Sequence, residues 1–228
     1  MEHIVSIEWY GRTLHFATHE NLFAPRGADR GSLAMLRAVD WREGEKVLDL
    51  GCGYGLVGIC AAVTPKVAKV VLIDNDPLAV EFARRNVLQL LETETETGME
   101  IKIPEVLSGD GPSAAKISGS ERFTLILSNP PYHADFAVAK RFIEQGFACL
   151  ESGGRMMMVV KRLAWYQNKM SAIFGGTGVS ELDGYFILTS EKRTVQPRNA
   201  SRSMPPKTTK KHRKKMMAKR NDAGDGKK

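Results

Sequence analysis

The chain has 228 residues, 43% of them hydrophobic, and a formal net charge of +7. That length and composition suit one full α/β domain with small additions and exclude a fibrous or wholly disordered protein. No run of about 18 apolar residues occurs, so no helical membrane span is expected, and the acid-bearing first residues are not those of a signal peptide.

The charge is uneven. Residues 193–228 hold 13 Lys/Arg and two acids, Asp222 and Asp225, leaving 20 basic against 24 acidic residues in the other 192. The basicity therefore belongs to the tail and not to the fold. Three cysteines, Cys52, Cys60 and Cys149, have no metal-like spacing. Reduced thiols and a cytoplasmic location are the simple expectation. The five histidines form no ligand spacing, and no metal is expected.

Residues 3–24 alternate loosely and carry Ile7, Trp9, Leu14, Phe16 and Phe23, which predicts a hairpin turning at Gly11-Arg12. Pro25-Arg26-Gly27 breaks the pattern. Ser32 is placed to cap a helix bearing Leu33, Met35, Leu36 and Val39. The stretch Asp29-Arg30-Gly31-Ser32 reads either as a capped turn or as a lip over a ligand.

Val47, Leu48 and Leu50 form a short apolar run suited to a parallel strand covered on both faces. Gly51, Gly53 and Gly55 follow, interrupted by Cys52 and Tyr54, and Leu56 to Val63 then reads as a helix. Strand, glycine turn and helix form the front of a nucleotide-type βαβ unit. Val70 to Ile73 is a second buried strand ending in Asp74, which lies 19 residues after Gly55. A carboxylate at about that spacing grips ribose hydroxyls. The G-x-G-x-G pattern lacks the dinucleotide fingerprint, so an adenosine ligand without phosphates is the better reading.

Asp76-Pro77 starts a helix through Leu91, with Asp as N-cap and Pro at N1. Glu92 to Gly98 reads as a solvated low-complexity loop. A third strand is expected over 104–108, ending beside Asp110, and a fourth over 123–127. A helix over 135–150 follows, stopped by Gly153-Gly154. A fifth strand spans 156–160 and a helix 165–174. A closing hairpin turns at Asp183-Gly184. The pattern predicts an α/β fold with a mainly parallel open sheet, one antiparallel strand and helices on both faces. Its ligand edge gathers Gly51 to Gly55, Asp74, Asp110 and Asn129 to Tyr132.

Asn129-Pro130-Pro131-Tyr132 ends the fourth strand. The prolines leave the Asn129 side-chain oxygen and the Pro130 carbonyl free to accept both hydrogens of one planar amine. Positive charge develops on that nitrogen as a methyl group arrives, and the two acceptors stabilise it. Tyr132 offers a ring for stacking on a planar base or amide.

On these residues the chain resembles a class I S-adenosylmethionine-dependent methyltransferase. Asp49-Leu50-Gly51-Cys52-Gly53-Tyr54-Gly55 matches the first motif, Asp74 the acidic motif, Asp110 the adenine-side motif and Asn129-Pro130-Pro131-Tyr132 the amino-methyltransferase motif. More narrowly it resembles the small-domain family of ribosomal RNA guanine-N2 methyltransferases. That rests on Asn21-Leu22-Phe23-Ala24, Asp29-Arg30-Gly31-Ser32 and the close of the domain from Gly153 through Tyr185-Phe186-Ile187-Leu188. The resemblance covers about residues 5–192. It implies a Rossmann-like fold with a seven-stranded sheet, and S-adenosylmethionine as cofactor. It also implies that Asp49, Gly51, Gly53 and Gly55 face the cofactor, that Asp74 holds its ribose and Asp110 its adenine. Asn129 and Pro130 would hold the target amine, with Tyr132 stacking.

Longer members of that family carry a second, degenerate domain in front, for which this length leaves no room. Tyr132 is usual among adenine-N6 and glutamine-amide methyltransferases. Three readings therefore stay open: an RNA amino-methyltransferase (guanine N2 or adenine N6), a glutamine-amide protein methyltransferase, and a non-catalytic RNA-binding module. The expected layout is a hairpin or lip over 1–30, a catalytic domain over 31–192 and a disordered basic tail over 193–228 that tracks RNA phosphates.

Overall fold

The computed structural model describes residues 1–97, 102–113, 122–131 and 136–193. Its central sheet contains β3 (Glu45–Leu50), β4 (Val67–Asp74), β5 (Glu105–Ser108), β6 (Phe123–Ser128), β7 (Leu150–Val160), β8 (Gly178–Leu182) and β9 (Tyr185–Glu191). The strand order is β5-β4-β3-β6-β7-β9-β8. All neighbours pair in parallel except β9, which runs antiparallel to both β7 and β8. The order reverses between β3 and β6, and ligands of open α/β sheets collect in the crevice at such a switch point.

The sheet is covered on both sides, so its central strands are apolar at consecutive positions. Val47, Leu72, Leu125 and Leu127 point into one core, formed with α1 (Arg30–Ala38), α2 (Leu56–Ala62) and α3 (Pro77–Thr97). Leu48, Leu50, Ile73 and Ile126 point into the other, formed with α4 (Phe136–Cys149) and α5 (Leu163–Phe174). The first core is closed from outside by the hairpin of β1 (Glu2–Trp9) and β2 (Arg12–His19), which inserts Val5, Leu14 and Phe16. Trp9 Nε1 donates to the Cys60 carbonyl at 2.9 Å, which pins the hairpin to α2.

Asn86 on α3 fixes the hairpin to two other elements at once. Its Oδ1 accepts from Ala17 N at 2.8 Å, and its Nδ2 donates to the carbonyls of Ala17 at 2.9 Å and Tyr54 at 2.8 Å. Far from the ligand edge, buried Glu45 pairs with Arg155. The Glu45 carboxylate also accepts from Thr124 Oγ1 at 2.5 Å, so each of its oxygens has a donor.

Several boundaries differ from expectation. The first hairpin turns at Tyr10-Gly11, one residue earlier than Gly11-Arg12, and both residues have positive φ as a two-residue type I′ turn requires. Asp183 and Gly184 do the same at the closing hairpin, as expected. The N-cap of α1 is Asp29, whose Oδ2 accepts from Ser32 N at 2.6 Å; Ser32 itself is not the cap. The helix begun at Pro77, capped by Asp76 Oδ1 on Leu78 N, continues through Thr97. The Glu92–Thr97 stretch is therefore helix and not loop; glutamates are good helix formers, and two turns already formed extend at little cost. Gly153-Gly154 lies inside β7 as an irregularity, between Phe123↔Leu150 and Leu125↔Arg155 pairing, and does not end α4. Lys192 ends that helix instead, donating from Nζ to the carbonyls of Phe147 and Leu150 at 2.8 Å each.

Candidate active site

The carboxyl ends of β3, β4, β5 and β6 and the start of α1 line a cleft of about 300 Å³. That is the lower end of the size usual for small-molecule sites. Of the expected residues it brings together Asp49, Gly51, Gly53, Asp74, Asp110 and Asn129. Gly55 and Pro130 do not line it. Tyr132 lies outside the described residues, as does the tail beyond residue 193.

The glycine turn is held from below by β4. Gly51 N and Cys52 N both donate to the Ile73 carbonyl, at 2.9 and 3.0 Å. Gly53 sits above them at φ 55, and a Cβ there would meet nothing within 4 Å. The backbone is thus bare toward the cleft, as close approach by a ligand demands. Gly55, at φ 93, has no such opening: its position is closed by Leu72 and Ile59, and it forms the N-cap of α2. Its service is to fold the turn. Gly58 on α2, which sequence reasoning passed over, lets the helix lie against β4; a Cβ there would fall 2.5 Å from Leu72 Cγ.

Asp74 closes the other side of the turn. Its Oδ2 accepts from Gly53 N at 2.8 Å and its Oδ1 from Asp76 N at 3.0 Å. It fixes the glycine backbone and still has lone pairs to present to the cleft. Asp110 sits at the far end, with Oδ1 held by Arg141 Nη2 at 2.6 Å. Asp49 lies under the turn and accepts from Gly58 N at 2.8 Å. Burial raises its pKa from 3.8 to about 7; the Gly58 bond opposes this and the Asp74 charge adds to it. Burial likewise pushes the thiols of Cys52 and Cys60 up, so neither is a nucleophile at neutral pH.

Asn129 occupies the opposite wall, immediately after β6. Ser128 anchors that strand end by donating from Oγ to the Leu50 carbonyl at 2.8 Å, across the switch point. The Asn129 amide nitrogen has two acceptors, Asp29 Oδ2 at 2.8 Å and Ser32 Oγ at 2.9 Å. Its Oδ1 is buried and has no hydrogen-bond partner among the described residues. A carboxylate can only accept, so the contact with Asp29 fixes which end of the amide is nitrogen. Sequence reasoning had singled out Asp29 and Ser32 as turn or lip; their contact with Asn129, 100 and 97 residues away, had no local signal.

The arrangement combines a bare glycine turn between carboxylates with an unsatisfied acceptor on the facing wall. It suits an adenosine-bearing ligand without phosphates beside a group that donates hydrogens, and those residues fit S-adenosylmethionine. The model of the methyltransferase small domain family matches residues 13–189. A Thermus thermophilus 16S ribosomal RNA guanine-N2 methyltransferase, solved with AdoMet and guanosine, superposes with a TM-score of 0.71 at 24% identity. It covers 85% of this chain, and this chain spans 51% of its length. A Pyrococcus furiosus methyltransferase superposes at 0.60 with 19% identity, covering 79% of this chain and 90% of its own. Thermus thermophilus TrmN superposes at 0.54 with 24% identity, covering 71% of this chain and 48% of its own. With a match over most of its folded length, this chain belongs to the methyltransferase small domain family.

Proposed function

We propose that the chain methylates an exocyclic amino group of RNA, guanine N2 of small-subunit ribosomal RNA. One observation carries the reaction type: Asn129 lines the cleft, and its buried Oδ1 has no hydrogen-bond partner among the described residues. An unsatisfied buried acceptor is costly, and a donor arriving from the substrate removes that cost.

The cofactor supplies a methyl group activated on a sulfonium. The protein's part is binding and electrostatics. Gly53 offers bare backbone to the cofactor with Gly51 beside it in the cleft lining, Asp74 offers carboxylate lone pairs to its ribose, and Asp110 serves its adenine. Asn129 Oδ1 accepts one hydrogen of the target amine; the Pro130 carbonyl, next in the chain but outside the cleft lining, would accept the other once the substrate is seated. They localise its lone pair and then stabilise the positive charge that grows on nitrogen. Tyr132 stacks on the base. A paired base cannot reach such a cleft, so the target is unpaired or is flipped out at a cost of a few kcal/mol. The basic segment 193–228 acts as an arm on RNA phosphates.

The choice of guanine N2 is supported by the Asn21–Ala24 and Asp29–Ser32 signatures and by the likeness to the Thermus enzyme solved with guanosine. Tyr132 favours the second reading, adenine N6 or a glutamine amide, because the same acceptor pair fits each amine. The test is methyl transfer from labelled S-adenosylmethionine to unmodified ribosomal subunits and transfer RNA, followed by nucleoside mass spectrometry. Label in N2-methylguanosine of the small subunit is expected, and Asn129→Ala should abolish it. Full transfer by Asn129→Ala would refute the mechanism; label in N6-methyladenosine would move the substrate.

A further inference from the structure

We infer that Asp29 and Ser32 are positioning residues for the reaction: together they clamp the Asn129 amide so that its oxygen, and not its nitrogen, meets the incoming amine. The inference rests on reading Asn129 as the acceptor. An asparagine side chain is nearly symmetric in shape, and the two ends of its amide differ only in hydrogen bonding. Turned over, Asn129 would present two N–H donors to an amine that also donates, and binding would be lost. Asp29 Oδ2 at 2.8 Å and Ser32 Oγ at 2.9 Å hold the nitrogen end against the start of α1, and Oδ1 is left without a partner among the described residues.

The clamp is built into the first turn of α1. Asp29 Oδ2 also accepts from Ser32 N at 2.6 Å, so the helix cap fixes the carboxylate that fixes the amide. Ser32 is buried, and its hydroxyl adds no cap of its own; holding Asn129 is its described contact besides that backbone bond. The charge matters as well as the geometry. A hydrogen bond to a carboxylate polarises the amide and makes its oxygen a better acceptor. Asp29 therefore places negative charge one amide away from the nitrogen on which positive charge develops. It also makes asparagine the compatible residue at 129, because aspartate there would set two carboxylates against each other.

The first measurement needs no substrate. In the full-length protein, the side-chain amide protons of Asn129, assigned by their loss in Asn129→Asp, should be shifted downfield and slow to exchange. Ser32→Ala should move one of them and Asp29→Asn the other. Wild-type protons that exchange like those of a free amide, or that ignore both substitutions, would overturn the clamp. The second measurement is single-turnover methyl transfer to unmodified small ribosomal subunits. Ser32→Ala should lower the rate about tenfold, the loss of one hydrogen bond, with the cofactor dissociation constant unchanged, and Ser32→Thr should restore it. Asparagine caps a helix as well as aspartate does, so a purely structural Asp29 predicts no effect of Asp29→Asn, whereas the clamp predicts a slower methyl transfer. An Asn129→Ala enzyme that retains full rate sinks the acceptor reading itself, and the amide spectrum still decides the clamp.

Discussion

Replacing Asp49 by Asn should change how the protein's stability depends on pH. The carboxyl is fully buried under the glycine turn, and its pKa rises from 3.8 to about 7 in the folded chain, chiefly through burial. Between those two values the folded state holds a proton that the unfolded state has released. Stability contributed by this proton is complete below pH 3.8 and is lost as the pH rises toward 7. At about 1.4 kcal/mol per unit of pKa, the loss amounts to about 4 kcal/mol. The Asp49→Asn side chain would still accept from Gly58 N and would not ionise. Urea unfolding of both proteins, followed by circular dichroism at steps from pH 4 to 8, isolates the effect as a difference. Asp49→Asn should gain on the wild type steadily from pH 4 to 7 and then run parallel to it. Saturating S-adenosylmethionine should compress that gain, because positive charge in the cleft favours ionised Asp49. Two curves that stay parallel throughout would refute the account of a protonated Asp49.

Two other outcomes are expected. Asn86→Leu strands one buried N–H and two buried carbonyls, at Ala17 and Tyr54, and should cost at least about 3 kcal/mol by urea titration; a loss under about 1 kcal/mol would show that the hairpin is held by apolar contact alone. Deleting residues 197–228 should weaken RNA binding and flatten its dependence on salt while leaving cofactor binding intact, measured by filter binding over a salt series and by calorimetry; an unchanged salt slope would remove the phosphate arm.

Much of the site was legible because it is local. The glycine turn, Asp74 and Asn129 each sit at a strand end, and an apolar strand followed by turn chemistry is readable within about ten residues. The sheet followed from the number of such steps. What escaped was set by contacts distant in sequence. Asp29 and Ser32 are both good N-caps; Asp29 caps the helix through Ser32 N, and both side chains also hold Asn129, about 100 residues away. Gly153 and Gly154 look like a helix stop, but pairing with β9, through Gly153 N to the Lys192 carbonyl at 2.7 Å, draws them into a strand. Asn86 sits on α3 among charged and apolar neighbours and carries no motif; only the hairpin 69 residues earlier gives it a role.

That same bridge sets an order on vectorial synthesis. The hairpin can close as soon as residue 19 is free, because its turn is two residues long and its pairs are local. Its apolar side has no cover then. Phe16 and Ala17, both fully enclosed in the finished protein, stay open to water until the chain has grown to Asn86 and beyond. For that interval a nascent chain presents an unpaired two-stranded ribbon with one greasy side, the kind of surface on which neighbouring chains stick and chaperones dock. The earliest part of the protein to take shape is thus among the last to be protected.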